Sequence, residues 1–492
     1  MNTLEKLQNA NAAARKRTLR ALRRTLGPAE LAQHAKVVIA LLEDTDRCVR
    51  VEAVITLHKL ESATFAQHAG AVVAKLDIER ARLSALRTLG KLDQTTLAQP
   101  AGDVAARLED SNEGVRRLAL ATLSKLKPAA LTRHADAVAA RLSDSVSLVR
   151  SMALRTLRKL NKTTLTCHAN AIVAMLCDSD PQVRADALAT VGNLKLATLT
   201  QHADVVAAGL EDDSYSVRSA AVLTLRKLKP AVLADVVVPR LEHSSHQVRI
   251  AALYSLRKQA PLAQQVVARL EDFDARVRRP ALEMLGTMLE PLALHAGAVA
   301  ARLEDSDDMV RDTALAMLGE LEPATLAQHA DAIVACLEDT DVVRWRALIT
   351  LSKLNPAALA QYAGVVAARL EDHDYHVLGN ALRTLSRLEP VALAHHAYGV
   401  VARLEDARPY VREQALETLH KLPRFVTHGV DFTSSALRSR LLGRLAWYRC
   451  RLRLRVERLA WYWYALPYRP SGPGHARDVA AWDQMNKRSR LV

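Results

Sequence analysis

Residues 128–160, PAALTRHADAVAARLSDSVSLVRSMALRTLRKL, carry two apolar stripes separated by a short polar break. Leu131, Ala135, Val138 and Leu142 follow one another at steps of four, three and four, the period of one helix face. Beyond the break, Val149, Ala153, Leu154, Leu157 and Leu160 take up that period again. The stretch predicts a helix of about twelve residues, a tight turn and a second helix of about fourteen. The same phrase, keyed by Val-Arg, returns about every thirty-four residues. Its arginines are Arg50, Arg116, Arg150, Arg184, Arg218, Arg249, Arg278, Arg311, Arg344 and Arg412, with Arg82 in the same slot after Ala81 and Leu378 after Val377. A period of this length predicts a row of helical hairpins, each burying its apolar face against its neighbours.

The helix ends are also legible. Asp180 precedes Pro181, and proline suits the first helical position, where its missing N–H has no partner to lose. Asp46, Asn112, Ser214, Ser245, Asp274, Asp307 and Asp374 hold the same cap slot, and each can accept a backbone N–H bond. Pro128, Pro230, Pro323, Pro356 and Pro390 stand where the next first helix begins.

On the residues L-x-D-x-D-x-x-V-R-x-x-A-L-x-x-L, residues 31–422 resemble the HEAT family, in particular the HEAT-like repeats of phycobilin lyase subunits and of many scaffold proteins. The resemblance implies an all-α fold, a right-handed α-solenoid of the armadillo-like helical kind with about 12 helical hairpins. It speaks for fold more than for function, because the matching positions pack and cap. Two enzymatic relatives of such repeats bear on activity. Deoxyhypusine hydroxylase holds di-iron through His-Glu pairs, and that dipeptide occurs nowhere in this sequence. Phycobilin lyases imply tetrapyrrole handling or a chaperone role as an alternative, with no residue here to carry it over.

The recurring arginines Arg50, Arg116, Arg150, Arg184, Arg218 and Arg311 sit beside a recurring inter-helix acid, among them Asp44, Asp110, Asp144, Asp178, Asp212, Asp305 and Asp406. A guanidinium fork bridging a carboxylate and nearby carbonyls predicts a structural ladder; a row of phosphate or nucleic-acid sites is the alternative, which the matching acids disfavour. Histidines recur on the first helix at His34, His68, His134, His168, His202, His295, His329 and His396. Their repeat-to-repeat separation is too wide for a shared metal, and Pro100 and Tyr362 fill the same slot, so packing is the reading. Lys59, Lys91, Lys125, Lys159, Lys227, Lys353, Arg387 and Lys421 close second helices, where cations complement the helix dipole. The antiparallel hairpin then predicts one acidic rim, from the LED acids, and one basic rim.

The net charge of +15 resides at the two ends. Residues 1–30 hold seven basic and two acidic side chains, residues 31–422 hold 47 of each sign, and residues 423–492 hold fourteen basic and four acidic. The first thirty residues read as a capping half repeat, since Leu19, Leu22 and Leu26 fall where Leu120, Leu123 and Leu126 fall; their Arg-rich character is also that of an organelle transit peptide. Pro239, Pro280 and arginine spacings of 31 and 29 predict an irregular region over 230–285, with Pro280 kinking or breaking its helix. Five cysteines without CxxC spacing predict free thiols and a cytoplasmic, reducing compartment rather than secretion, with organelle or nucleus as alternatives. No apolar run is long enough to predict a transmembrane helix.

Residues 423–470 differ in character. Leu437, Leu441, Leu445, Tyr448, Leu452, Val456, Leu459, Trp463 and Leu466 predict a long basic helix over 434–466, followed by a tail over 471–492. Arg444, Trp447, Arg451, Arg455, Trp461 and Trp463 are its candidate contacts, for the last repeat, an anionic membrane or a nucleic acid. The sequence as a whole predicts a non-catalytic scaffold for a protein partner, with no catalytic residue, cofactor, metal or small-molecule substrate. Arg87, Arg155, Arg158, Arg226, Arg257, Trp345 and Arg383 are the candidate contacts on the second helices, outward by helical phase and different from repeat to repeat.

Overall fold

Several second helices start where a short acceptor side chain meets the unpaired N–H groups of the first turn, whereas Ser214 and Ser245 stand at the cap position without a side-chain bond to it. Asp46 accepts from Cys48 and Val49 at 2.7 and 3.1 Å, and Arg47–Leu57 follows. Asn112 and Asp180 do the same for Glu113–Leu123 and Pro181–Val191, and Asp374 for Tyr375–Leu385. A computed structural model describes residues 3–8 and 11–422; the tail from 423, with its predicted helix and its six candidate contacts, lies outside the described residues. Among the described residues all regular structure is helical. They fall into two compact units, one ending at Lys353 and the other beginning at Leu354.

Residues 128–160 form the hairpin expected of them, with one correction. The first helix is not continuous: Pro128–Leu131 and Ala135–Ala140 are separate segments, and a 3-10 turn at Arg141–Ser143 follows. The break falls on the recurring histidine. His134 has φ −114° and ψ 9°, His34 −100° and 0°, and His329 −114° and 8°. This is the bridge region of backbone space, used by turns. Pro100 and Tyr362 adopt it too, at φ −81° and −104°. The histidines thus mark the bend in each first helix, half-buried, each in its own repeat.

Both apolar stripes are buried: Leu131, Ala135, Val138, Leu142, Val149, Ala153, Leu154, Leu157 and Leu160 lie in the core. Successive second helices pack side by side within each unit, as Ser147–Leu157 does on Pro181–Val191 and Tyr375–Leu385 on Pro409–Leu419. Ala119, Ala153, Ala187, Ala221, Ala314 and Ala381 are fully buried, small side chains at a recurrent packing position. At the N-terminus, Ala12–Thr25 packs on Arg47–Leu57 as a lone second helix would, burying Leu19 and Leu22.

Pro280 does not break its helix. Ala275–Gly286 runs through it, with Pro280 buried, so the loss is one hydrogen bond inside an otherwise packed element. Within residues 230–285 the chain takes a left-handed turn at Lys258, φ 63°, the single non-glycine of positive φ among the described residues.

Candidate interaction surface

The repeated polar residues bond one repeat to the next in three ladders. In the first, the arginine of each second helix faces two ways. Arg116 donates through Nη1 to the carbonyls of Asp110 and Ser111 at 2.9 and 3.0 Å, in its own loop. Its Nε and Nη2 fork Asp144 of the next repeat at 2.7 and 2.8 Å. Arg150 forks Asp178, Arg184 forks Asp212, Arg249 forks Asp272, Arg278 forks Asp305 and Arg311 forks Asp339 in the same manner. Arg82 reaches Asp110 with one bond of 2.9 Å. Arg15 in the first long helix forks Asp44 at 2.7 and 2.8 Å. That arginine was missed in the sequence, although the offset that aligns Leu19 with Leu120 also places Arg15 on Arg116.

In the second ladder a threonine four residues before the end of the hairpin's apolar stripe donates backward. Thr190, Thr224, Thr350 and Thr418 bond the carbonyls of Leu154, Leu188, Leu315 and Leu382 at 3.3, 3.0, 3.0 and 3.0 Å. In the third, the closing lysine caps the preceding repeat's second helix rather than its own. Lys227, Lys353 and Lys421 donate to the carbonyls of Gly192, Gly319 and Ser386 at 2.6, 2.7 and 2.6 Å. A Cβ at Gly192 would sit 2.9 Å from the Lys227 Nζ, so glycine makes room for the ammonium there.

The acidic rim expected from the LED motif is neutralised where its glutamates meet the next repeat. Glu43 pairs with Lys75, Glu211 with Arg240, Glu242 with Arg269 and Glu271 with Arg302, at 3.1, 2.8, 2.6 and 2.7 Å. Among the described residues no group of three or more metal-ligating side chains is gathered, and no helix is long and apolar enough to cross a membrane.

The ladder has a pH signature. Bonds from Arg150 and Arg184 hold the Asp178 and Asp212 carboxyls below the ordinary carboxylate range, and Arg408 holds Asp406 at about 2. A carboxyl whose folded pKa lies below its unfolded value stabilises the fold above about pH 4 and loses that contribution as pH falls through the folded value. The melting temperature is therefore expected to hold from pH 6 to about 4.5 and then fall steeply toward about pH 2. Circular dichroism melts across that range at constant ionic strength check it, and a flat profile below pH 4 would contradict it.

The arginine ladder has exceptions. Leu378 is buried in the slot, and Asp406 takes its guanidinium from Arg408 of its own loop, at 2.8 and 3.0 Å. Arg50 and Arg218 bond only carbonyls of their own loops, Asp44 and Thr45 for one, Asp212 and Asp213 for the other. After Arg50 the linking loop is shortened and Asp77 pairs with Arg107 instead. After Arg218 the acid slot holds His243. Among the described residues the interface between the sixth and seventh repeats, residues 195–228 and 229–258, lacks all three rungs, Ser255 donating to its own Ala251, and so does that between the first and second, where Thr88 donates to its own Ser84.

The candidate contacts on the second helices are distributed unevenly. Arg87, Arg155, Arg257 and Arg383 are exposed, whereas Arg158, Arg226 and Trp345 are only half-exposed. Arg155 reaches Asp186 at 2.9 Å, and the Arg346 guanidinium lies 4.4 Å from the Trp345 ring centre, so both are partly engaged within the fold. Burial, with Lys162 and Arg158 nearby, holds the Lys227 ammonium below the ordinary lysine pKa. What the sequence reading missed is apolar. Tyr215 is 77% exposed, Leu223 58% and Phe273 83%, and all lie in or beside the irregular region. For Tyr215 and Phe273 the signal was available, as aromatic residues at slots held by polar side chains in most other repeats.

With this geometry in place, the comparisons with known proteins are specific about fold. A HEAT-repeat family model matches residues 169–257 and a HEAT-like repeat model matches residues 308–354. The chain is an all-α solenoid of HEAT repeats. It is similar to the karyopherin Kap121p bound to the SUMO protease Ulp1p, with TM-score 0.66 and 13% identity over 89% of this chain and 55% of that one. Kap121p bound to the extreme C-terminus of the protein phosphatase Cdc14p aligns at TM-score 0.64 and 12% identity, over 85% and 53%. Kap95p, in a structure concerned with RanGDP, aligns at TM-score 0.56 and 14% identity, over 90% and 69%. These identities speak for fold alone. The chain spans little more than half the length of the Kap121p chains it matches. No curated protein sequence matches it.

Proposed function

We propose that this chain is a non-catalytic scaffold that holds a protein partner along the exposed face of its second helices. One observation carries the reading: most of the arginines, aspartates and threonines that recur from repeat to repeat are engaged in bonds between or within repeats, while the exposed positions vary. Invariant slots build the array; variable slots such as Leu223, Tyr254, Arg87 and Arg383 are open to selective contact. The Kap121p structures, solved with Ulp1p and with a Cdc14p segment, support it as examples of the same fold holding protein ligands.

Proximity labelling and pull-down with the full chain, and with residues 423–492 deleted, test this. A common set of protein partners is expected from both forms, weakened by Leu223→Asp on the second-helix face. Partners recovered only through the tail, or unaffected by changes on that face, would sink the proposal.

A further inference from the structure

Seven arginines in the first unit show what this ladder slot does with a carboxylate. Arg15, Arg116, Arg150, Arg184, Arg249, Arg278 and Arg311 each direct Nε and Nη2 at the two oxygens of one aspartate. Such bidentate pairing is the strongest recognition a guanidinium offers. Arg218 is anchored as its siblings are, with Nη1 on two loop carbonyls at 2.8 Å each. The position that should supply its aspartate is His243. The Nδ1 of His243 accepts the Ser245 N–H at 3.1 Å, replacing the bond that Asp44 accepts from Asp46 at 2.8 Å. The turn is preserved and the negative charge is gone. Arg218 therefore keeps an oriented fork with no carboxylate among the described residues.

Its surroundings are those of a contact rather than a defect. The Tyr215 ring, highly exposed, lies 6.0 Å from the Arg218 guanidinium carbon. Arg50 also bonds carbonyls only, but the slot of Tyr215 is held there by Arg47, and the next repeat's loop carries Glu79 and Arg80. One repeat further on, Arg249 shows the filled version: it forks Asp272 while the Phe273 ring lies 4.5 Å from its guanidinium carbon.

We propose that Arg218 is an open rung that takes an aspartate or glutamate carboxylate from a partner protein, one flanked by an aromatic or apolar residue seated on the Tyr215 ring. This deepens the scaffold reading and rests on it for the partner being a protein. The chain's own filled rung supplies the probe, an acetylated and amidated peptide Leu-Glu-Asp-Phe-Asp, the sequence of residues 270–274.

Titration of a fluorescent form of that peptide into the full chain is expected to show saturable binding that weakens with salt. Arg218→Ala should lower affinity at least about tenfold, the loss of one charge-assisted fork. His243→Asp should also abolish binding, by closing the fork from within, and should raise the melting temperature. Arg50→Ala, a comparable loss to the ladder, should leave binding unchanged. No saturable binding by the wild type, equal binding by wild type and Arg218→Ala, or a His243→Asp variant that is stabilised yet still binds would each overturn the proposal. So would displacement by inorganic phosphate or oligothymidylate as effective as by unlabelled peptide, since that marks a general anion site. Partners captured equally by wild type and both Arg218 and His243 variants would overturn this site while leaving the scaffold reading in place.

Discussion

Arg249→Ala is expected to destabilise the seventh and eighth repeats by about 3–5 kcal/mol, the usual cost of removing one member of a buried ion pair. Arg249 and Asp272 are each only 2% exposed at the side chain, and Arg249 also bonds the carbonyls of His243 and Ser244 at 2.8 and 3.0 Å. Removal strands the Asp272 carboxylate, two loop carbonyls and the face of Phe273 together. The joint behind it, between repeats six and seven, has no rung to share the loss. Hydrogen exchange should show protection falling first across 246–288, ahead of global unfolding. Converting both residues to apolar ones, Arg249→Met with Asp272→Leu, should recover much of the stability, because the penalty lies in the unpaired charge. A single variant with unchanged urea midpoint and exchange would refute the assignment.

The second large effect runs against the repeat consensus. Leu378 is the one slot without arginine, so Leu378→Arg restores the pattern, yet it is expected to destabilise by at least about 2 kcal/mol. Asp406 is already bonded to Arg408, and Leu378 is fully buried, so a new guanidinium enters the core with its carboxylate taken. The double variant Leu378→Arg with Arg408→Ala should return most of the loss, since the new arginine can then fork Asp406 as its siblings fork theirs. A thermodynamic cycle in urea should show coupling of about 1–3 kcal/mol between the two sites. Additive effects would mean that Arg408 is not a substitute for the missing rung.

The hairpin, its stripes and its caps were legible because each depends on side-chain period and on residue types that bond locally. Leu131, Ala135 and Val138 announced a helix face, but the same steps occur whether the helix is continuous or bent, so the break at His134 left no mark on the pattern. The identity of the acid was legible in the Arg116 rung, whereas its address was not: Asp110 and Asp144 are both near in sequence terms, and only packing decides that one gives its carbonyl and the other its carboxylate. Lys227 likewise read as serving its own helix end, when the carbonyl it meets, Gly192, comes from the preceding repeat. The exposed Tyr215 and Phe273 were missed for a simpler reason. Tyr215 opens a helix and Phe273 lies in the loop before one, both outside the apolar period, although such rings are where an interface often concentrates its affinity.

The direction of the bonds also has a mechanical meaning. Arginine rungs fasten the start of the second helices forward and lysine rungs fasten their ends backward, so a fully bonded joint shares tension between two edges. Between repeats six and seven both fastenings are missing, and load there falls on apolar contact and the Arg240–Glu211 pair, which water screens. Drawn out between its ends, the first unit should yield in steps rather than as a whole, with this joint among the earliest to open and the triple-bonded joint between repeats five and six holding longer.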